Sequence, residues 1–108
     1  MARSTLPDLE IDLEQMAVHA DDAATLLKAL ANKNRLMVLC ILSQGELSVS
    51  DLLEKVPLGQ SALSQHLAVL RRDGLVQTRR QSQTIFYSLA DPKASEIIRL
   101  LHTMYCIG

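Results

Sequence analysis

The residues best suited to chemistry sit in one short stretch. From Gly59 to Arg72 the chain reads Gly-Gln-Ser-Ala-Leu-Ser-Gln-His-Leu-Ala-Val-Leu-Arg-Arg, with no carboxylate until Asp73. Ser and Gln side chains pair with base edges and phosphates, and Arg serves phosphate or guanine. Ser61, Ser64, Gln65, Arg71 and Arg72 are therefore candidate nucleic-acid contacts. The other reactive groups are two thiols, Cys40 and Cys106. They form no C-x-x-C pair, and nothing else in the chain makes a recognisable catalytic constellation, which argues against a small thiol enzyme.

These groups need a scaffold. On a helix, Leu63, Leu67 and Leu70 fall on one stripe at i, i+4, i+7, and Ser61, Gln65, Ala68 and Arg72 fall opposite. A solvated amphipathic helix has the same apolar stripe, but such faces usually mix Glu with Lys. Upstream, Ser48 and Asp51 have the spacing of a capping box. They start a helix carrying Val49, Leu52, Leu53 and Val56, which Pro57-Leu58-Gly59 stops. Two short helices around a tight turn, the second with a polar outer face, make a helix-turn-helix. Downstream of Asp73-Gly74, residues 75–80 and 84–89 have the composition of a two-stranded hairpin with Gln81-Ser82-Gln83 at its tip. Arg79 and Arg80 beside that tip suit phosphate or the minor groove, and they also suit an edge that discourages aggregation.

The remaining segments read as helices. One spans about 9–30 with Leu13, Met16, Ala17, Ala20, Ala24 and Leu27 in helical spacing, and Asn32 and Asn34 mark its end and a restart. Residues 35–42 are apolar nearly all round. Asp91-Pro92 starts the last helix, with Ile97, Ile98, Leu101, Met104 and Tyr105 along one side. The expected fold is mainly α with a small β-hairpin, in the order α-α-α-α-β-β-α. It occupies a single domain over residues 9–108 behind a loose tail over 1–8.

A chain of 108 residues, 48% hydrophobic and 3% aromatic, is long enough for one aliphatic core. Its net charge of −1 conceals an asymmetry. The first 32 residues hold six acidic groups against Arg3 and Lys28, whereas Gly59 to Ala90 holds four arginines and only Asp73. A duplex responds to the local face more than to the sum. No apolar run approaches the ~20 residues needed to span a bilayer. The N-terminus has no signal-peptide pattern, so the expected compartment is the cytoplasm.

Three blocks together resemble the ArsR/SmtB winged-helix regulators of bacteria. They are Leu30-Ala-Asn-Lys-Asn-Arg-Leu, Gln60-Ser-Ala-Leu-Ser-Gln-His-Leu-Ala-Val-Leu-Arg-Arg-Asp-Gly-Leu-Val, and Arg79-Arg80 followed by Phe86-Tyr-Ser-Leu. The resemblance implies a homodimer built from the first and last helices, and two recognition helices in successive major grooves of double-stranded operator DNA. Ala17, Ala20, Ala24 and Leu27, with Ile97, Leu101 and Met104, would form its interface. Gln60, Ser61, Ser64, Gln65 and His66 would lie at the DNA, with Arg79 and Arg80 in the wing. Where many relatives bind metal through Glu-Leu-Cys-Val-Cys-Asp, this chain has Glu46-Leu-Ser-Val-Ser-Asp51. Serine hydroxyls are poor ligands for soft metals. His19, His66 and His102 do not complete the family's second metal pattern, so neither a metal nor a cofactor is expected. The wing tip, often Gly in the family, is Ser82 here.

Taken alone, Cys40 between Leu39 and Ile41 reads as an inert core thiol. The resemblance extends, however, to a subgroup of the family with a Cys at each of these two places, whose members respond to reactive sulfur species or oxidants. It implies a regulator whose DNA binding follows the thiol or persulfide state of Cys40 and Cys106. The alternative is the same regulator with inert cysteines, activating virulence genes by displacing a silencing protein. A pure protein-interaction module built on the apolar terminal helices is the remaining rival, and it would lack steep salt dependence on DNA.

Overall fold

Asp12 starts the first helix: its carboxylate accepts from the Gln15 N–H at 3.1 Å, so α1 runs Leu13–Leu30. The computed structural model describes residues 10–106. The expected loose tail over 1–8 and Leu9 itself lie outside the described residues; residues 10–12 are described and not helical, so the helix expected from about Leu9 starts only at Leu13, behind the Asp12 cap. Asn32 then restarts the chain as α2 (Lys33–Leu42), accepting from the Asn34 and Arg35 N–H groups. The Arg35 guanidinium reaches back to the carbonyls of Ala29 (2.9 Å) and Lys28 (3.3 Å). It thereby satisfies the Ala29 carbonyl that the end of α1 leaves over, shares the Lys28 carbonyl with the Ala31 N–H, and fixes the corner between the helices.

Leu47–Ser48 form a two-residue strand, β1, which leads into α3 (Val49–Lys55). The Ser48–Asp51 capping box is present in both directions. Ser48, at one of the places where relatives carry a thiolate, is therefore occupied as a helix cap. Recognition-helix candidate α4 spans Gln60–Arg72 and ends on Gly74 at φ +76°. Leu75 N–H bonds to Leu70 O at 2.8 Å and Gly74 N–H to Arg71 O at 3.1 Å, the paired bonds of a Schellman stop.

Strands β2 (Val76–Gln81) and β3 (Thr84–Leu89) pair antiparallel, and α5 (Pro92–Cys106) follows, its first turn capped by Asp91. The sequence reading of a two-stranded hairpin needs one addition. Leu47 pairs with Tyr87 and Ser48 with Phe86, giving a three-stranded sheet in the order β1-β3-β2. Leu47–Ser48 is thus an edge strand, too short to show a period-2 pattern of its own. At the β2–β3 turn Ser82 takes φ +58°, the left-handed region where glycine is at ease.

The core forms where α2, α3, α4 and the sheet converge. Leu63, Leu67 and Leu70 of α4 are fully buried with Val38, Leu39, Leu52 and Leu75. Each such side chain contributes roughly 1.5–3 kcal/mol by leaving water. Most of α1 is outside this core: residues 11–22 are exposed throughout. The radius of gyration, 16.6 Å, exceeds the ~13 Å of a compact chain this long.

Candidate nucleic-acid interface and thiol pair

Anchoring of α4 by three buried leucines decides what its other face presents. Gln60, Ser61, Ser64, Gln65 and Ala68 are exposed, and His66 is half-buried on the flank. Gly59, the N-cap, supplies no side-chain hydrogen bond, so the first N–H groups of α4 are left to solvent or a ligand. At the other end Arg71 and Arg72 are exposed, and Arg72 pairs with Asp73 at 3.2 Å. The surface offers donors and acceptors of mixed type, a small side chain for close approach, and cations at the exit.

The two wing arginines differ in a way the sequence did not reveal. Successive strand residues point to opposite faces, so Arg79 and Arg80 lie on opposite sides of the ribbon. Arg79 stands opposite Phe86 in the β2–β3 register, with its guanidinium 4.7 Å from the ring centroid. It also donates to Glu46 through Nε (3.0 Å to Oε2) and Nη2 (2.7 Å to Oε1), and to Gln81 through Nη1 at 3.0 Å. The Arg79 guanidinium holds the Glu46 carboxyl below its ordinary range, chiefly by hydrogen bonding. Glu46 in turn pushes Arg79 further up. Arg80 is exposed, with no ion-pair partner among the described residues. Sequence reading missed Glu46 because it lies 33 residues from Arg79 and only the β1–β3 pairing brings them together.

The thiols lie on α2 and near the end of α5. Both are free, Cys40 half-buried against the core and Cys106 exposed. Burial raises the Cys40 thiol pKa, and the nearby Cys106 raises it further.

Among the described residues the terminal helices carry most of the exposed large apolar side chains, with Met37 of α2 and Ile85 of β3 exposed elsewhere. On α1, Leu13 and Met16 are exposed beside Ala17, Ala20, Ala24 and Leu27, in one helical stripe. On α5, Met104 is exposed, whereas Ile97 and Leu101 are half-buried. Leu100, absent from the expected interface, is 57% exposed beside them. No helix among the described residues is long and apolar enough to cross a membrane. Among the same residues no cluster of three or more His, Cys, Asp or Glu could hold a metal ion.

A buried leucine seam behind an exposed polar helix, followed by a hairpin wing, defines a winged helix-turn-helix protein. Comparison with known proteins supplies the family. The profile described as "Bacterial regulatory protein, arsR family" matches residues 32–78. The chain is 51% identical to transcriptional activator HlyU of Vibrio cholerae over 96 residues, 89% of each chain. Its structure is similar to that of the transcriptional repressor BigR from Xylella fastidiosa, with a TM-score of 0.83 and 43% identity. That match covers 89% of this chain and 98% of the other. A homodimeric winged helix-turn-helix domain from Mycobacterium bovis, Mb0332, is also similar, with a TM-score of 0.74 and 29% identity over 88% and 86% of the two chains. The protein belongs to the ArsR family and is a DNA-binding transcriptional regulator of the HlyU and BigR type.

Proposed function

We propose that the chain works as a homodimer that reads two half-sites of double-stranded operator DNA, with its occupancy switched by the joint state of Cys40 and Cys106. The DNA reading is carried by the face of α4, polar and free of carboxylates, held outward by three fully buried leucines. Gln60, Ser61, Ser64, Gln65 and His66 approach base edges and nearby phosphates, and Arg71, Arg72 and Arg80 meet phosphate. Arg79 reaches DNA only by exchanging Glu46 for a phosphate. Support for the dimer comes from the exposed apolar stripes of α1 and α5 and from the homodimeric relative. Ala17, Ala20, Ala24 and Leu27 would meet Ile97, Leu101 and Met104 there, with Leu100 added. Such a regulator works in the cytoplasm, beside its DNA.

The switch rests on two free thiols on two different helices, Cys40 half-buried on α2 and Cys106 exposed at the end of α5. A Cys thiolate attacks the outer sulfur of an organic persulfide, R–S–SH, and RS⁻ leaves with the electron pair of the broken S–S bond. The product is Cys–S–SH. When both thiols have reacted, the Cys40 persulfide anion attacks the inner sulfur of the Cys106 persulfide and expels HS⁻. Three sulfurs then link α2 to α5. Each inserted sulfur adds about 2 Å of reach, so the bridge closes where a plain disulfide would strain two fixed helices. A change of a few Å between the two recognition helices spoils simultaneous engagement of half-sites one helical turn apart.

Footprinting of genomic fragments upstream of the protein's own gene tests the DNA part. Two protected half-sites one turn apart, with affinity falling steeply as salt rises, are expected. A single protected site, or binding indifferent to salt, contradicts it. For the switch, intact-mass analysis after persulfide treatment should find one or two sulfurs beyond the disulfide mass in wild type, and no internal link in Cys40→Ser or Cys106→Ser. A wild-type product with only a plain disulfide contradicts the polysulfide link.

A further inference from the structure

Beside Cys40 lies a cleft of about 340 Å³ between the end of α2 and one face of α5. Arg99, His102 and Ser95 line its α5 side, and Leu89 and Ile98 form its apolar wall. Ser95, Arg99 and His102 are spaced i, i+4, i+7, and Cys106 follows at i+11, so one stripe of α5 leads from the cleft to the second thiol. Ile97, Leu100 and Met104 lie on the opposite side of that helix. A dimer formed through them therefore leaves the cleft open.

The chemistry of the lining is asymmetric. Arg99 is exposed, and no ion pair engages it among the described residues. At the α2 end, Ser43 and Gln44 N–H groups bond the carbonyls of Leu39, Cys40 and Ile41, which removes those acceptors from a ligand's path. No carboxylate lines the cleft. It thus offers one fixed cation, an imidazole, hydroxyl and amide donors, and a short apolar wall, with a thiol on its floor. Its volume is at the small end of ligand pockets, enough for a small organic molecule.

We propose that this cleft binds small persulfides bearing a carboxylate: Arg99 pairs with the carboxylate, Leu89 and Ile98 take the aliphatic stem, and the outer sulfur is delivered to Cys40. This inference rests on the thiol-switch reading and names the reagent class that the switch selects. A bound anionic persulfide R–S–SH reacts by the transfer already described, its outer sulfur passing to the Cys40 thiolate and RS⁻ departing with the carboxylate still attached. A half-buried thiol whose proton is held by its surroundings reacts slowly with reagents that merely collide with it. Residence in the cleft raises the local concentration of reagent and compensates for that.

The test uses two alkylating probes of nearly equal shape and different charge, iodoacetate and iodoacetamide. Rates at Cys40 are read by peptide mass in wild type, Arg99→Gln and Arg99→Lys. Taking the ratio of the two rates cancels any change in thiol acidity or access, which a merely structural effect of the substitution would produce. The iodoacetate-to-iodoacetamide ratio should fall about fivefold in Arg99→Gln and stay near wild type in Arg99→Lys, as befits one exposed ion pair. The persulfide of glutathione should lose the same factor at Cys40 in Arg99→Gln, while inorganic polysulfide changes by less. Equal ratios in all three proteins overturn the cleft as an anion site. If that happens while persulfide still releases DNA, only the cleft falls. If the charge preference is present but DNA is never released, only the switch falls.

Discussion

The α3–α4–wing half of the molecule and its α1–α5 half solve opposite problems with similar apolar content. In the first, Leu52, Leu63, Leu67 and Leu70 are all buried within one chain, and the surface left over is polar and cationic. In the second, Leu13 (76% exposed), Leu27 (57%), Leu100 (57%) and Met104 (59%) have no cover within the chain. The first half is complete within one chain and is the half that would face DNA under the proposed function. The second is finished only against another apolar surface, and exposed patches of this kind mark interaction sites. Under the proposed function, DNA contact and assembly fall to different surfaces of the fold, and the two thiols sit on different helices, Cys40 on α2 against the core and Cys106 on α5.

Substitutions sharpen that contrast. The largest effect is expected from Leu27→Glu, whose side chain is exposed in the single chain and so leaves its fold intact. In a dimer it would bury two unpaired charges, at a cost of about 3–5 kcal/mol. Sedimentation should show monomer, thermal stability of the single chain should change little, and operator affinity should collapse. A tight dimer would remove Leu27 from the interface.

On the finished half, Gln65→Ala should cost about 1–3 kcal/mol of discrimination against a wrong base. Arg80→Ala should weaken all sequences alike and flatten the salt slope by about one unit. Arg79→Ala should do less than Arg80→Ala, because Glu46 already neutralises Arg79, and Glu46→Gln should strengthen binding to every duplex. Titrations on specific and random DNA at several salt concentrations separate these outcomes. Equal effects of the two arginine substitutions would mean that the Glu46 pair opens without cost on DNA.

The Cys40 thiol carries a pH signature. Because burial and Cys106 both raise the Cys40 pKa, its alkylation rate should still be climbing at alkaline pH where that of a free cysteine has levelled off. The sign for stability follows from the same shift: the folded state retains the proton more tightly. Its contribution is complete below the unfolded cysteine's pKa and is lost as pH rises through the folded one. Rate profiles at Cys40 in wild type and Cys106→Ser should differ, with the variant's inflection at lower pH.

The smallest effect is expected at the wing tip. Ser82→Gly should relieve a left-handed residue and raise stability by up to about 1 kcal/mol, offset in part by the greater freedom of glycine in the unfolded chain. An unchanged or lower melting temperature would show that the serine sits there without strain.

Much of this was legible in the chain itself. The i, i+4, i+7 leucines of α4, the Ser48–Asp51 box, the Asn32 restart and the Asp91-Pro92 start are local signals, each written within a few residues, and the structure has each in place. What escaped was non-local or too short to have a period. Strand β1 is two residues long and exists only through its pairing with β3. Glu46 meets Arg79 only because of that pairing. Leu100 was passed over because Leu101 fits the apolar stripe of α5 better, yet that stripe is shared between core and surface: Ile98 is buried, Leu101 half-buried, and Leu100 the more exposed. The cleft beside Cys40 needs α2 and α5 side by side, which no spacing within either helix announces.

The central claim, that a link between Cys40 and Cys106 governs DNA occupancy, is tested most directly by measuring both quantities on the same sample. Wild-type protein is titrated with an organic persulfide, the linked fraction is read by intact mass, and occupancy of a two-half-site operator is read in parallel. Occupancy should fall in proportion to the linked fraction, return on reduction, and remain high for Cys40→Ser and Cys106→Ser at every dose. Fully modified wild-type protein that holds its operator as tightly as the reduced form would contradict the account and leave Cys40 as core filling.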